Sequence, residues 1–174
     1  MTTPPLRLFF ALPCPPDLAS RVASWRDALG TFGRPVAAEN LHITLVFLGS
    51  QPRGRLAELK ALAEEIVAPA FALTFDRLER WHGGLLHLAS SRPPDALIAL
   101  EHSLRERLLS QGFDVEDRRF HPHLTLARHC RALPGGLAVA PSFSWQVESF
   151  ALYVSENHQG GTRYKALSRH HLRG

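Results

Sequence analysis

Apolar and polar positions alternate between two periods along this chain. Leu6-Arg-Leu-Phe-Phe-Ala-Leu12 is a short apolar run stopped by Pro13, and it reads as a strand. Pro15-Pro16-Asp17 then opens a helix over Leu18–Leu29. Proline suits a first helical turn and aspartate its positive end. Leu18, Val22, Trp25 and Leu29 recur at the 3.6-residue period, so one face is expected to be buried, and Gly30 and Gly33 end the helix. Leu41–Leu48 reads as a second strand closed by Gly49, and Leu56–Val67 as an amphipathic helix. Phe71–Trp81 is strand-like, Gly83-Gly84 is a turn, and Leu85–Ala89 is a strand. Asp95–Leu109 reads as a helix with Leu97, Leu100, Leu104 and Leu108 on one face. Phe120–Arg128 is a strand, 133–136 a Pro/Gly loop, Phe143–Ser155 one or two strands, and Arg163–Ser168 a last strand.

The second half repeats the grammar of the first. Pro15-Pro-Asp recurs at Pro93, 78 residues on; His42 pairs with His123 at 81, Phe71 with Phe143 at 72, and Gly83-Gly with Gly160-Gly at 77. Four landmarks in one order at nearly one offset predict a duplicated unit of about 75–80 residues within one two-lobed domain spanning 1–174.

Composition narrows the setting. The chain has 174 residues, 45% apolar and 21% charged, which suits a single globular domain. Its 20 basic residues exceed its 16 acidic ones, a balance that allows an anionic partner without demanding one. Two cysteines, Cys14 and Cys130, cannot make a disulfide framework and point to a reducing compartment. No apolar run approaches the ~20 residues of a membrane span, so a soluble, cytoplasmic protein is expected.

Histidine is the unusual residue, with ten copies. Two of them share a frame: Asn40-Leu-His-Ile-Thr-Leu-Val-Phe47 and His121-Pro-His-Leu-Thr-Leu-Ala-Arg128 both contain His-x-Thr-apolar. Chance predicts only about 0.08 such matches in a chain of this composition. On a strand, side chains i and i+2 share a face. His42 and Thr44 therefore point one way, with Ile43, Leu45 and Phe47 opposite; His123 and Thr125 share a face, with Leu124 and Leu126 opposite. A pseudo-twofold would bring the two His/Thr faces together in a cleft, two imidazoles flanking one anion and two hydroxyls donating to its oxygens. Two histidines without a nucleophilic Ser or Cys suggest acid–base work: one neutral ring takes a proton, the other, protonated, gives one to a leaving oxygen. Opening a cyclic phosphodiester suits this, because in-line attack puts base and acid on opposite sides of phosphorus. The rival reading is a metal site with His42, His121 and His123 as ligands; threonine is a poor zinc ligand, and neither motif contains Asp, Glu or Cys. His121, before Pro122, reads as leading into the strand. His82, His87, His102, His129, His158, His170 and His171 have no repeated context and read as surface or incidental.

These residues resemble the two-histidine phosphoesterases, specifically the RNA 2′,3′-cyclic phosphodiesterases, or LigT-like 2′-5′ RNA ligases. The resemblance is carried by Arg7–Leu12, Glu39–Gly49, Phe120–Arg128 and Gly160–Lys165 in order. It implies a bilobal α+β fold, two antiparallel-rich sheets lining a central cleft with helices outside. It implies metal-independent opening of RNA 2′,3′-cyclic phosphate ends to 2′-phosphomonoesters by a monomer without cofactor, and, in some members, joining of RNA ends by a 2′-5′ linkage. Carried over, His42 is the proton donor to the leaving 3′ oxygen, His123 the acceptor that activates water, and Thr44 and Thr125 hold the phosphate. Alternation points Arg128 away from the cleft; the resemblance still carries it as a positioning residue. Arg163 and Lys165, i and i+2 on one strand face, are candidate RNA contacts. The stretch 133–140 holds no obvious basic or aromatic set for reading RNA. Two alternatives remain, a phosphodiesterase for a small cyclic nucleotide and a non-catalytic nucleotide-binding module. A long basic groove would favour RNA, and a closed pocket a small nucleotide.

Overall fold

In a computed structural model, residues 3–30, 33–134 and 140–174 are described. Most of the loop read at 133–140 therefore lies outside the described residues. The first half supplies β1 (Leu6–Pro13), α1 (Pro16–Ala28), β2 (Arg34–Pro35), β3 (His42–Gln51), α2 (Leu56–Glu64), β4 (Phe71–Phe75) and β5 (Arg77–Trp81). The second supplies β6 (Leu85–Ala89), α3 (Asp95–Ser110), β7 (Leu124–Arg128), β8 (Phe143–Val147), β9 (Ser149–His158) and β10 (Gly161–His171).

Among the described residues every strand pairing is antiparallel. One sheet has the order β10-β9-β1-β3 and a second β2-β7-β6-β5, while β4 and β8 form a two-stranded ribbon. The fold is α+β, as expected. The ribbon is the seam: Leu73 faces Trp145 and Phe75 faces Phe143, all buried. After β4 the chain crosses into the second sheet as β5; after β8 it crosses into the first as β9.

Among the departures from the periodicity, three boundaries and one helix face have a local reason. The run Phe71–Trp81 breaks at Asp76 because its halves belong to different sheets; the Asp76 carboxylate accepts from the Ser91 backbone N–H at 2.8 Å and from the Ser91 hydroxyl. The second helix stops at Glu64, not Val67, because Ala68 turns to bridge the C-terminal Arg173, whose N–H it accepts at 2.6 Å. β7 begins at Leu124, not Phe120, because Pro122 has no N–H to give a ladder. On α1, Arg26 joins the buried stripe. Its guanidinium donates to the carbonyls of Val36 at 2.5 Å and Leu126 at 3.1 Å, tying the helix to β7.

Candidate active site

His42 opens β3, and His123 stands just ahead of β7. Each ring is fixed from behind: His42 Nδ1–H donates to the Asn40 carbonyl and His123 Nδ1–H to the His121 carbonyl, both at 2.7 Å. A carbonyl oxygen only accepts, so Nδ1 carries the proton in both neutral rings, and Nε2 is left for chemistry. His42 Nε2 lies 3.0 Å from the Thr44 hydroxyl. The two histidines, Thr44 and Thr125 line one cavity, with Arg128 and Tyr164 also on its wall.

Arg128 lines the cavity although simple alternation points it away. The correction comes from a β-bulge. Leu86 faces Ala127 and His87 faces Thr125, leaving Leu126 as an extra residue. Leu126 and Ala127 are consecutively buried, and the next residue is turned back to the face of Thr125. β3 has the same device: Phe10 faces Val46, Ala11 faces Thr44, and Leu45 is extra. Leu45 and Val46 are both buried, so Phe47 does not share the inner face of Ile43; it is 37% exposed.

Arg163 and Lys165 are exposed and line neither cavity described for this chain. Tyr164, between them, takes the cavity side, which puts both cations on the opposite face of β10. Their common face was legible in the sequence, but which face of β10 the cleft would take was not. Tyr164 is the residue that sequence reasoning missed there. Its ring stands edge-on to His42 at 4.9 Å, with Phe9 packed against both. Trp81 was missed likewise; its ring lies 4.5 Å from that of His123.

Two histidines read as incidental are buried. His170 is 3% exposed; its Nδ1–H donates to Glu64 at 2.7 Å, and Nε2 accepts from the Ser168 hydroxyl at 2.8 Å, an arrangement that docks β10 on α2. His87 is fully buried, its ring 5.4 Å from that of His123. His82, His102, His129, His158 and His171 are exposed. Among the described residues no three His, Cys, Asp or Glu side chains gather as metal ligands, and His42, His121 and His123 form no such group.

Burial holds His42 below its ordinary proton affinity, with Arg128 adding to the effect and the Asn40 carbonyl opposing it. His123 is lowered chiefly by burial too, against the His121 carbonyl, and further by His87, His42 and Arg128. Both rings therefore favour the neutral form until an anion enters. A bound anion would stabilise imidazolium in either ring.

A second, open groove meets the cavity at Thr44, Leu85 and His123. Phe47, Trp81 and Phe120 line it together with Arg105, Arg118 and Arg119. Among the described residues no helix is long and apolar enough to cross a membrane.

Residues 14–159 match the 2′-5′ RNA ligase superfamily. The chain is 38% identical to the RNA 2′,3′-cyclic phosphodiesterase of Escherichia coli K12 over 170 residues, covering 95% of this chain and 96% of that protein. It is 30% identical to the RNA 2′,3′-cyclic phosphodiesterase of Bacillus subtilis 168, covering 82% of each. The crystal structure of E. coli LigT complexed with 3′-AMP superposes with a TM-score of 0.88 at 37% identity, covering 98% of this chain and 99% of that one.

Proposed function

The chain belongs to the 2′-5′ RNA ligase superfamily, and on that premise we propose that it opens RNA 2′,3′-cyclic phosphate ends to 2′-phosphomonoesters by two-histidine acid–base catalysis. The observation that carries this reading is the pair of imidazoles, each anchored through Nδ1–H to a backbone carbonyl and both lining one shared cavity. Relatives named RNA 2′,3′-cyclic phosphodiesterase, matched over nearly the whole chain, support it.

In this mechanism His123 Nε2 takes a proton from water as the oxygen attacks phosphorus. The bond from phosphorus to the 3′ oxygen breaks in line, and His42 Nε2–H protonates that oxygen. Thr44, Thr125 and Arg128 hold the non-bridging oxygens; the arginine fork suits them. In the related joining reaction a ribose 5′-hydroxyl takes the place of water, and the product is a 2′-5′ linkage. The matched bulges on β3 and β7 support reading 1–174 as one two-lobed catalytic domain built from a duplicated unit.

The small-nucleotide alternative predicts a closed pocket. The arginine- and aromatic-lined groove running out of the cavity favours a polynucleotide instead, with phosphates on arginines and bases on rings. The test uses purified protein in excess EDTA, given 2′,3′-cyclic mononucleotides and short RNAs ending in 2′,3′-cyclic phosphate. Phosphorus NMR should show 2′-phosphate product without added metal, with the RNAs turned over more efficiently. Mostly 3′-phosphate would reverse the acid and base assignment; loss of activity restored by zinc or manganese would revive the metal reading.

A further inference from the structure

Behind the cavity the two sheets are not alike. In the first, the cross-strand row through Thr44 runs Thr44, Ala11, Ala151. In the second, the corresponding row runs Thr125, His87, Glu79. The first sheet fills this place with two alanines, so the architecture does not demand a titratable pair there. Burying an imidazole is costly unless it is partnered. His87 is nonetheless fully buried. Its Nδ1–H donates to the Leu85 carbonyl at 3.2 Å, while Nε2 has no hydrogen-bond partner. That Nε2 lies 3.6 Å from a Glu79 carboxylate oxygen, an ion-pair distance longer than a hydrogen bond. The same ring meets His123 at 73° and packs on Trp81, which also covers His123.

We propose that the Glu79–His87 pair is a positioning device for His123, holding its ring by edge-to-face packing and setting, through its own charge, when His123 Nε2 is free to take a proton. The functional half rests on the reading of His123 as proton acceptor. A proton on His87 is drawn to the Glu79 carboxylate, and the resulting imidazolium lies too close to His123 for a second positive charge to be welcome. The groups facing His123 act in one direction: His42 from β3, Arg128 from β7 and His87 from β6 all disfavour its charged form, against only the His121 carbonyl. Around His87, burial is the largest effect and holds its proton affinity below the ordinary value, against the Leu85 carbonyl and Glu79, so the ring takes its charge toward acid pH, where it competes with His123 for protons. His42 has no such pair behind it, since its sheet carries Ala11 and Ala151 there. The two motifs match, yet an acid and a base must differ, and pushing paired groups apart by environment is how one site assigns both roles. His87 is a positioning residue and does not touch the reacting atoms.

The test is a residue-resolved titration of the intact protein by ¹H–¹⁵N NMR of the imidazoles, beside the pH profile of kcat/KM on a 2′,3′-cyclic mononucleotide. In His87→Phe the His123 midpoint should rise by about one pH unit. In Glu79→Gln, at a half-exposed side chain that tolerates the change, it should move the same way by less. The acid limb of kcat/KM should follow, lowering activity at acid pH by about three- to tenfold relative to alkaline pH. An unmoved His123 midpoint in both variants, with activity merely lower at every pH, overturns the proposal. A midpoint that moves while the kinetic limb stays put supports the positioning and removes the acceptor role from His123. If His87→Phe fails to fold, Glu79→Gln alone decides.

Discussion

Tyr164 stands edge-on to His42 with ring centroids 4.9 Å apart at 80°. The contact spans the sheet: Tyr164 is on β10 and His42 on β3, at opposite edges of the order β10-β9-β1-β3. Phe9 on β1 fills the space between, 5.2 Å from one ring and 5.1 Å from the other. The tyrosine thus closes the cavity wall beside one imidazole and limits that ring's freedom. Tyr164→Ala should lower kcat/KM by about two- to tenfold, the usual worth of such a pair. Tyr164→Phe should keep most of the activity, because the ring edge makes the contact. Equal losses in both variants would transfer the role to the hydroxyl.

Removing either anchored imidazole should be far more damaging. His42→Ala and His123→Ala should each lower turnover by on the order of 10²–10⁴, the usual share of general acid–base catalysis. The double variant should be little worse than the worse single, since in the proposed mechanism the two rings act on one phosphorus as a unit. Single-turnover hydrolysis of a cyclic nucleotide measures this. A variant with near-wild-type turnover would strike that histidine from the mechanism.

The bulge at Leu126 makes a prediction that alternation alone would not. Arg128→Ala should lower kcat/KM by about 10- to 100-fold through loss of a charge-assisted contact to phosphate. Arg128→Lys should recover part of this, because the charge returns without the fork. Arg163→Ala and Lys165→Ala, on the far face of β10, should change turnover of a mononucleotide by less than about twofold. The opposite ranking would mean that substrate runs over β10.

Acid should weaken the fold through the histidines that its site withdraws from water. His42, His87 and His123 are all held below their ordinary value of 6.5, each chiefly by burial. As pH falls through 6.5 the unfolded chain takes up protons that the folded chain still refuses, so the unfolded state gains. Stability from these groups is complete above that value and declines toward the lower folded values. The urea midpoint should therefore fall between about pH 7 and pH 5, and fall less in His87→Phe. A midpoint flat across that window would contradict the lowered proton affinity of these rings.

The sequence by itself determined the candidate site residues. His-x-Thr appears twice, 81 residues apart, and strand geometry alone puts each imidazole beside its hydroxyl. It also determined the helices and nearly all the strands, because period and proline-glycine punctuation are local signals. Only the tertiary structure decided where strict alternation fails. Leu45 and Leu126 are extra residues because β1 and β6 pair with their neighbours out of simple register, and no local signal marks which leucine will bulge. That slip carries Arg128 into the cavity and exposes Phe47. Tyr164 and Trp81 reach the histidines from β10 and β5, strands remote in sequence from the motifs they serve. His87 looked incidental because its meaning lies in a row across three strands, Glu79 to His87 to Thr125, and such a row exists only after the strands have paired. Side chains within one strand are placed by the chain's own period; contacts between strands depend on register, which the whole core sets together.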